Sequence, residues 1–337
     1  MADNQPGSKK GKSGLTMEDL AAMAGVSTIT VSRALRDSPL VTPETREKIR
    51  KLAEEQGYRF NISARNLRLR RSYSIAVVVE MTPAEDRPMS DPYPLELLGG
   101  ITQELTTAGY SAVLTSKQLI HTPPVQAADG MILLGQGPGG AAVRELKGAG
   151  LPLVVWGAPD LDSECIVVGS DNRKGGQDVA ERFLSQGRRK LLFLGDTNHA
   201  EIEARRAGFI EGLGASGSAV RSVCPKSFTF EAGFASITAL IDAGGAGFDG
   251  IFAASDLLAM GAIRALTEKN LSVPGDVSVI GYDDTPGAAS FVPPLTSVHQ
   301  YLHNGGVLLA KKMLALINGE EVHSEMLSTT LVVRQTC

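Results

Sequence analysis

Several features that define common protein classes are scarce in this chain of 337 residues. It has three cysteines, none in a C-x-x-C pair, so neither a disulfide framework nor a cysteine-based metal site is indicated. No apolar run approaches the roughly 18 residues that cross a bilayer. The first 14 residues are polar and basic and lack the apolar core of a secretory signal. We therefore expect a cytoplasmic protein with no membrane partner.

Catalytic sequence motifs are also missing. The H-E-x-x-H, G-x-S-x-G and Walker A patterns do not occur. The sequence at 170–172 matches the S-D-N element of serine β-lactamases, but the S-x-x-K and K-T-G elements are absent. His299 and His303 have the spacing of a helical metal pair, yet no third ligand is near, which favours surface or capping histidines. We predict that the chain is not an enzyme and uses no metal or cofactor.

One sequence pattern has the spacing of a nucleotide-binding loop. Gly135-Gln-Gly137-Pro-Gly-Gly140 matches G-x-G-x-x-G, follows a predicted strand and precedes a predicted helix. Asp160 lies 20 residues beyond the last glycine, where a ribose-binding acid is expected. Pro138 removes a backbone donor from the loop, which favours an ordinary turn. A nucleotide-dependent oxidoreductase therefore stays open as an alternative function.

The net charge of −4 hides a split between two parts of the chain. Residues 1–71 contain 14 Lys and Arg against 8 Asp and Glu, whereas residues 72–337 contain 19 against 29. A small basic segment joined to a large acidic one is expected of an anion-binding module with a second domain. This favours nucleic acid as the partner of residues 1–71, with protein contacts as the alternative.

Three short helices are predicted in the basic segment. The first two run from Met17 to Ala24 and from Thr28 to Leu35, and the third from Pro43 to Gly57. The tight turn between the first two is typical of a helix-turn-helix, whose second helix reads base edges in the major groove. The side chains expected to contact DNA from these helices are Thr16, Thr28, Ile29, Ser32 and Arg33.

The cationic segment 61–71 has two interpretations. It is either a charged linker in solvent or a helix that enters the minor groove and wedges Leu67 between base steps, with Arg65 on a phosphate. Alone it is too short to be a stable helix. An apolar Leu67 in a cationic segment favours the wedge.

After Ser74, apolar runs of strand length alternate with amphipathic helical patterns. This predicts parallel sheets buried on both faces, arranged as two doubly wound lobes with a ligand cleft between them. The predicted strands are 75–79, 111–115, 131–134, 153–156, 166–168, 190–194, 251–254 and 277–280. The predicted helices include 94–108, 175–186, 202–213, 231–243 and 257–269.

The segment 16–35 closely resembles the DNA-binding signature of LacI/GalR-type transcriptional regulators. Further similarity occurs in the later segments 169–176, 255–261, 279–284 and 294–297. The resemblance implies an α/β protein: an all-α helix-turn-helix headpiece and hinge helix joined to a two-lobed, periplasmic-binding-protein-like body of doubly wound parallel sheets. The expected divisions are a flexible arm at 1–14, the headpiece at 15–60, the hinge at 61–73 and the body at 74–337. Within the body, the N-lobe is expected at 74–168 and 299–327, and the C-lobe at 169–298 and 328–337.

The resemblance also implies a function. We expect a homodimeric regulator, most simply a repressor, that binds a pseudo-palindromic operator and a small carbohydrate effector held between the lobes. The hinge is implied to contact DNA through Asn61, Arg65 and Leu67. The implied effector contacts are Tyr93, Trp156, Arg205, Phe228, Ser255, Asp283 and Gln300. A structural ion pair is the alternative role for Arg205 and Asp283, and whether the effector releases or recruits DNA is open.

A solute-binding protein for uptake shares the body fold and is a second alternative. It requires an export signal, and it would leave residues 15–71 without a role. Three departures from the family pattern also matter. Ser255 replaces the usual asparagine, Trp156 suggests a second stacking wall, and residues 116–127 are too short for the usual helix. Because no heptad repeat follows the body, we expect a dimer rather than a tetramer.

Overall fold

The computed structural model describes residues 15–58, 71–80, 90–159, 165–244 and 247–337. The chain divides into two compact units, Met1–Arg71 and Ser72–Cys337. The predicted arm at 1–14, the hinge contacts Asn61, Arg65 and Leu67, and the acid Asp160 lie outside the described residues.

The first unit contains the helix-turn-helix. Its helices are α1 (Met17–Ala24), α2 (Thr28–Ala34) and α3 (Pro43–Glu55), and a threonine or serine side chain caps each N-terminus. In α1 the caps are reciprocal, since Thr16 accepts from the Asp19 amide and Asp19 accepts from the Thr16 amide. Leu20, Val31 and Ile49, one from each helix, are fully buried in a shared core.

The second unit contains two six-stranded sheets in its described part. The first has the order β11-β5-β4-β3-β1-β2, and the second has the order β12-β10-β9-β8-β6-β7. All strand pairs are parallel except β10 with β12. The first sheet comprises β1 (Ser74–Val79), β2 (Ser111–Ser116), β3 (Gly130–Leu134), β4 (Leu153–Trp156), β5 (Ile166–Ser170) and β11 (Glu325–Leu327). The second comprises β6 (Lys190–Leu194), β7 (Ala219–Val223), β8 (Gly250–Ala253), β9 (Ser278–Asp283), β10 (Thr296–His299) and β12 (Thr330–Val332).

Helices cover both faces of these sheets. They are α4 (Pro92–Thr107), α5 (Pro123–Gln126), α6 (Ala141–Lys147), α7 (Asn172–Ser185), α8 (Ala200–Leu213), α9 (Phe230–Asp242), α10 (Asp256–Glu268), α11 (Pro286–Ser290) and α12 (Leu302–Ile317). Successive residues of β1 belong to opposite cores: Val77 packs with α4 and α12, and Val78 packs with α5 and α6. The predicted class, a headpiece plus two doubly wound α/β lobes, is confirmed. In the described ranges, no helix is both long and apolar enough for a membrane span.

The short segment between β2 and β3 still closes one face of the first sheet. It forms a 3-10 turn at Lys117–Leu119 and the single turn of α5. Ile120 and Val125, each 1% exposed, fill the core there in place of a longer helix. The sheet is therefore complete on that edge, with β2 as its last strand.

Glycines allow three helix pairs to touch through their backbones. Where α7 crosses α8, a Cβ on Gly176 would overlap the Arg205 carbonyl oxygen, and one on Gly208 would overlap that of Arg173. The pair α4 and α12 makes the same kind of contact through Gly100 and Gly306, and the pair α9 and α10 through Gly233 and Gly261. Any side chain at these positions would separate the helices.

We expect Gly208→Ala to lower the free energy of unfolding by about 2–3 kcal/mol, because the added methyl group overpacks a backbone contact. Urea denaturation measures the change. The matched control is Gly247→Ala, since a Cβ there meets nothing within 4 Å. Equal losses in both variants would contradict the backbone contact.

Candidate functional site

A cavity lies at the carboxyl ends of strands from both sheets. Ligands of parallel α/β sheets bind at this end of the strands. The residues that line it are Glu80, Tyr93, Leu134, Gly135, His199, Glu201, Ile202, Arg205, Phe228, Ala254 and Asp283. Both lobes of the second unit therefore contribute to one site.

Arg205 is a buried cation on this cavity wall, 4% exposed. Its Nε donates to Asn172 Oδ1 at 2.8 Å, and its Nη1 donates to the Ala254 carbonyl at 2.6 Å. The guanidinium carbon lies 3.7 Å from the centre of the Tyr282 ring. These hydrogen bonds and the ring contact fix the guanidinium plane, so it meets a ligand without reordering.

Asp283 is the buried anion of the same wall. It ends β9 with a φ of 109°, a conformation that a residue with a side chain adopts only at an energetic cost. Gln300 Nε2 donates to its Oδ1 at 2.5 Å, and Gln300 Oε1 accepts from Ser170 Oγ at 2.5 Å. Because Ser170 ends β5 of the first sheet, this chain of hydrogen bonds joins the two lobes at the site.

A second buried carboxyl, Asp256, supports the segment behind Asp283. It accepts hydrogen bonds from the Ser297 hydroxyl and from both the amide and the hydroxyl of Thr285. Burial, followed by the negative charge of Asp283, raises the pKa of Asp256 well above its ordinary value. Because the pKa of Asp256 is higher in the folded state than in the unfolded state, Asp256 contributes to stability at low pH. This contribution is lost as the pH rises through the pKa of Asp256 in the folded state.

The predicted effector contacts fall into two groups. Tyr93, Arg205, Phe228 and Asp283 line the cavity, whereas the other three are buried behind its described wall. Gln300 holds Asp283, and Ser255 caps α10 by accepting from the Leu258 amide. Trp156, expected from the sequence to form a second stacking wall, does not line the described cavity. Its ring packs on Gly305, and its indole N–H donates to the Tyr93 hydroxyl at 2.8 Å.

Three of the lining residues with polar or charged side chains were not predicted from the sequence. Glu80 directly follows β1, is 7% exposed and pairs through Oε1 with Lys117 Nζ at 3.1 Å. His199 lies edge-on to Phe228 with the ring centres 5.3 Å apart, and Glu201 is in the first turn of α8. Glu80 could have been predicted from the sequence, because it follows a predicted parallel strand at its carboxyl end, where ligands bind.

The structure argues against a dinucleotide at the glycine-rich loop 135–140. A carboxylate packs against the loop, because Glu80 Oε1 would be only 2.6 Å from a Cβ on Gly137. The Gly139 amide donates to the Asn198 carbonyl of the other lobe at 3.0 Å. Asp160 lies outside the described residues. The loop is therefore a contact between the lobes, and its amide donor and its glycine space are already used.

The histidine pair does not form a metal site in the described part of the chain. His299 Nδ1 lies 3.1 Å from Asp284 Oδ2, whose carboxyl also pairs with Arg334. Across the described ranges, no group of three His, Cys, Asp or Glu side chains is arranged to hold a metal ion.

Four of the five DNA contacts predicted on the helix-turn-helix lie on α2. Ile29 is 61% exposed, although large apolar side chains are usually buried, and Arg33 is also exposed. Thr28 and Ser32 are half-buried beside them. Thr16 is exposed at the start of α1, where its hydroxyl donates to Asp19 at 2.6 Å.

Comparisons with known proteins agree with this architecture. Residues 16–61 match the model of the bacterial regulatory proteins of the lacI family, and residues 180–337 match a periplasmic binding protein-like domain. The chain is 32% identical to the HTH-type transcriptional regulator CelR of Thermobifida fusca, covering 95% of this chain and 98% of the relative. It is 29% identical to the HTH-type transcriptional repressor CytR of Escherichia coli K12, covering 97% of each. These relatives are transcriptional regulators rather than enzymes.

Two solved structures are similar over nearly the whole chain. A complex of the transcriptional regulator CelR with cellobiose gives a TM-score of 0.71 at 31% identity, covering 96% of this chain and 100% of that one. The lac repressor dimer bound to operator and the anti-inducer ONPF gives 0.83 at 25% identity, covering 96% and 98%. The similarity thus includes both the headpiece and the two-lobed body.

We expect Gln300→Glu to destabilise the protein by about 3 kcal/mol at neutral pH, because it replaces the donor that faces Asp283 with a second buried carboxylate. Burial and Asp283 raise the pKa of the introduced carboxyl, so the deficit should shrink as the pH falls and the proton returns. Urea denaturation at pH 5 and pH 8 measures this. Gln103→Glu, on the exposed face of α4, is the control, and a deficit that does not change with pH would refute the contact.

Proposed function

The chain belongs to the LacI family of bacterial transcriptional regulators, and from that premise we propose that it is a repressor whose operator affinity is controlled by a carbohydrate. The observation that carries the carbohydrate proposal is the pairing of a fixed guanidinium and a fixed carboxylate on one cavity wall, Arg205 and Asp283. The observation that carries the DNA proposal is the helix-turn-helix with its exposed α2.

The chemistry of the cavity suits a polyol. The Asp283 carboxylate accepts from sugar hydroxyls and the Arg205 guanidinium donates to them, and each can engage two neighbouring hydroxyls. Tyr93 and Phe228 add aromatic rings on which the C–H face of a sugar packs. We assign Trp156, Ser255 and Gln300 to positioning these side chains. The CelR relative has been solved with a sugar, cellobiose, which supports the same class of effector here.

We propose that α2 lies in the major groove. Arg33 would bind a guanine through two hydrogen bonds, and Thr28 and Ile29 would meet base edges or thymine methyl groups. Ser32 and Thr16 suit phosphates. The positive surplus of residues 1–71 supplies general attraction to DNA. For the hinge we retain the sequence-based proposal that Leu67 wedges between base steps in the minor groove, with Arg65 on a phosphate and Asn61 as a further DNA contact.

The protein is proposed to act as a homodimer on a pseudo-palindromic operator, as in the lac repressor dimer structure. The second unit has apolar surface for such pairing: Leu95 on α4 is 48% exposed and Leu114 on the edge strand β2 is 51% exposed. Sugar binding between the lobes would change operator affinity through a coupling free energy of about 1–3 kcal/mol. A gel shift with and without sugar decides whether the sugar releases or recruits DNA.

We expect Arg33→Ala to weaken binding to the preferred operator by about 1–3 kcal/mol and to remove the preference at one base position, because a bidentate base contact is lost. An operator selected from random DNA, together with its single-base variants, provides the measurement by fluorescence anisotropy. Lys48→Ala, an exposed cation on α3, is the control and should weaken all sequences alike. A uniform loss in Arg33→Ala would assign Arg33 to the phosphates.

We expect Asp283→Asn to reduce sugar affinity by at least about tenfold, because an amide replaces the charged acceptor. Asparagine tolerates the positive φ of this position, so the backbone should be retained. Calorimetry measures the sugar, and gel shift measures the operator response. Asp242→Asn, in an exposed ion pair with Lys269, is the control. If operator binding without sugar is lost as well, Asp283 has a structural role instead.

A further inference from the structure

We propose that Glu80 is a charge filter, which admits uncharged sugars to the effector site and rejects sugars that carry a carboxylate or a phosphate. The inference rests on the proposed carbohydrate site and goes one step further, because it names the class of sugar and the residue that selects it.

Glu80 occupies the junction of two cavities. The second cavity shares Glu80, His199 and Phe228 with the first and extends toward Asp196 and Lys226. A ligand in either cavity, or across both, therefore lies beside Glu80. With only 7% of its surface exposed, the carboxylate is largely shielded from water, so its charge acts strongly on a neighbouring group.

The surrounding structure fixes the Glu80 side chain. Lys117 Nζ holds Oε1 at 3.1 Å, and the Glu80 amide donates to the Leu134 carbonyl at 3.1 Å. Gly137 and Gly135 leave the space in which the side chain lies: a Cβ on Gly137 would be 2.6 Å from Oε1, and one on Gly135 would be 3.4 Å from the Glu80 Cβ. The glycine-rich motif thus makes room for a carboxylate, whose sign is opposite to what a phosphate site needs.

The charged side chains in the described lining of the first cavity also carry an excess of negative charge. Glu80, Glu201 and Asp283 present three carboxylates to the first cavity, against the single guanidinium of Arg205. Oε2 of Glu201 is buried and meets no hydrogen-bond donor among the described residues, so its best partner is a donor brought by the ligand. Sugar hydroxyls supply such donors, whereas an added carboxylate supplies none and is repelled.

The described lining of the second cavity does not offset the negative charge of the first. Its one cation in the described lining, Lys226, is exposed and therefore screened by solvent, and Asp196 offsets it. If Glu80 served only as the structural partner of Lys117, its removal would change the stability of the fold. It would not change the selection between neutral and acidic sugars.

The test uses the full chain and pairs of sugars in which a carboxylate replaces one C6 hydroxymethyl group: glucose with glucuronate, galactose with galacturonate, and cellobiose with β-glucuronosyl-(1→4)-glucose. Calorimetry gives the ratio of the two dissociation constants in each pair that binds. We expect the neutral member to bind at least about tenfold more tightly. An acidic member that binds as tightly as its neutral partner overturns the inference while leaving the carbohydrate proposal intact. If no sugar of either kind binds, the carbohydrate proposal fails and the inference fails with it.

Two variants then test Glu80 in opposite directions. Glu80→Gln keeps the shape and removes the charge, so the ratio of acidic to neutral dissociation constants should fall several-fold toward one. Lys117→Met leaves the Glu80 charge uncompensated, so the ratio should rise, which also covers the case in which Glu80→Gln does not fold. Glu145→Gln, an exposed carboxylate on α6, is the control for charge alone. An unchanged ratio in a folded Glu80→Gln or in Lys117→Met would overturn the filter.

Discussion

The candidate site depends on the backbone contact between α7 and α8. Because Gly176 and Gly208 have no side chains, the two helices approach until carbonyl oxygens of one meet the glycine of the other. This approach brings Asn172, the first residue of α7, within 2.8 Å of the Arg205 guanidinium on α8. The crossing of α4 and α12 does the same for the other lobe, where Trp156 packs on Gly305 and holds Tyr93. Close helix packing therefore determines where the polar groups of the cavity lie.

Packing alone would leave the site energetically unfavourable, since it gathers buried charges and a residue with positive φ. The hydrogen bonds from Ser170 through Gln300 to Asp283 offset part of that cost, and they run from one lobe to the other. The hydrogen bond from the Gly139 amide to the Asn198 carbonyl adds a second contact between the lobes. Interactions that stabilise the site are thus the same ones that set the distance between the lobes. A ligand that changes this distance must change these contacts, which gives the proposed two-state coupling a physical basis.

The sequence predicted the helices and strands that depend on neighbouring residues, and it missed the features that depend on packing between distant parts of the chain. Helix caps such as Thr16 and Ser27 and the buried runs of β1 and β3 gave the headpiece and the parallel sheets. The strands β7, β10, β11 and β12 were missed. The strands β7, β11 and β12 lie at sheet edges and contain exposed residues, so they lack a buried run, whereas β10 is buried but its sequence Thr-Ser-Val-His is not an apolar run. The family resemblance identified Arg205 and Asp283 by position. It could not show on which side of β4 the Trp156 ring lies, since that depends on Gly305 in a helix about 150 residues later in the chain.

The glycine-rich loop shows most clearly why a motif does not decide a function. Its spacing, its strand before and its helix after all suit a phosphate, and within the motif only Pro138, which lacks a backbone donor, weighs against that interpretation. The stronger contradiction comes from Glu80, which directly follows another strand, β1, and lies in the space that the glycines leave open. Glycine supplies space and a backbone donor to whichever group packs there, and the charge of that group decides the chemistry. In this chain the group is a carboxylate already paired with Lys117, so the same loop that elsewhere binds an anion here presents one to the ligand.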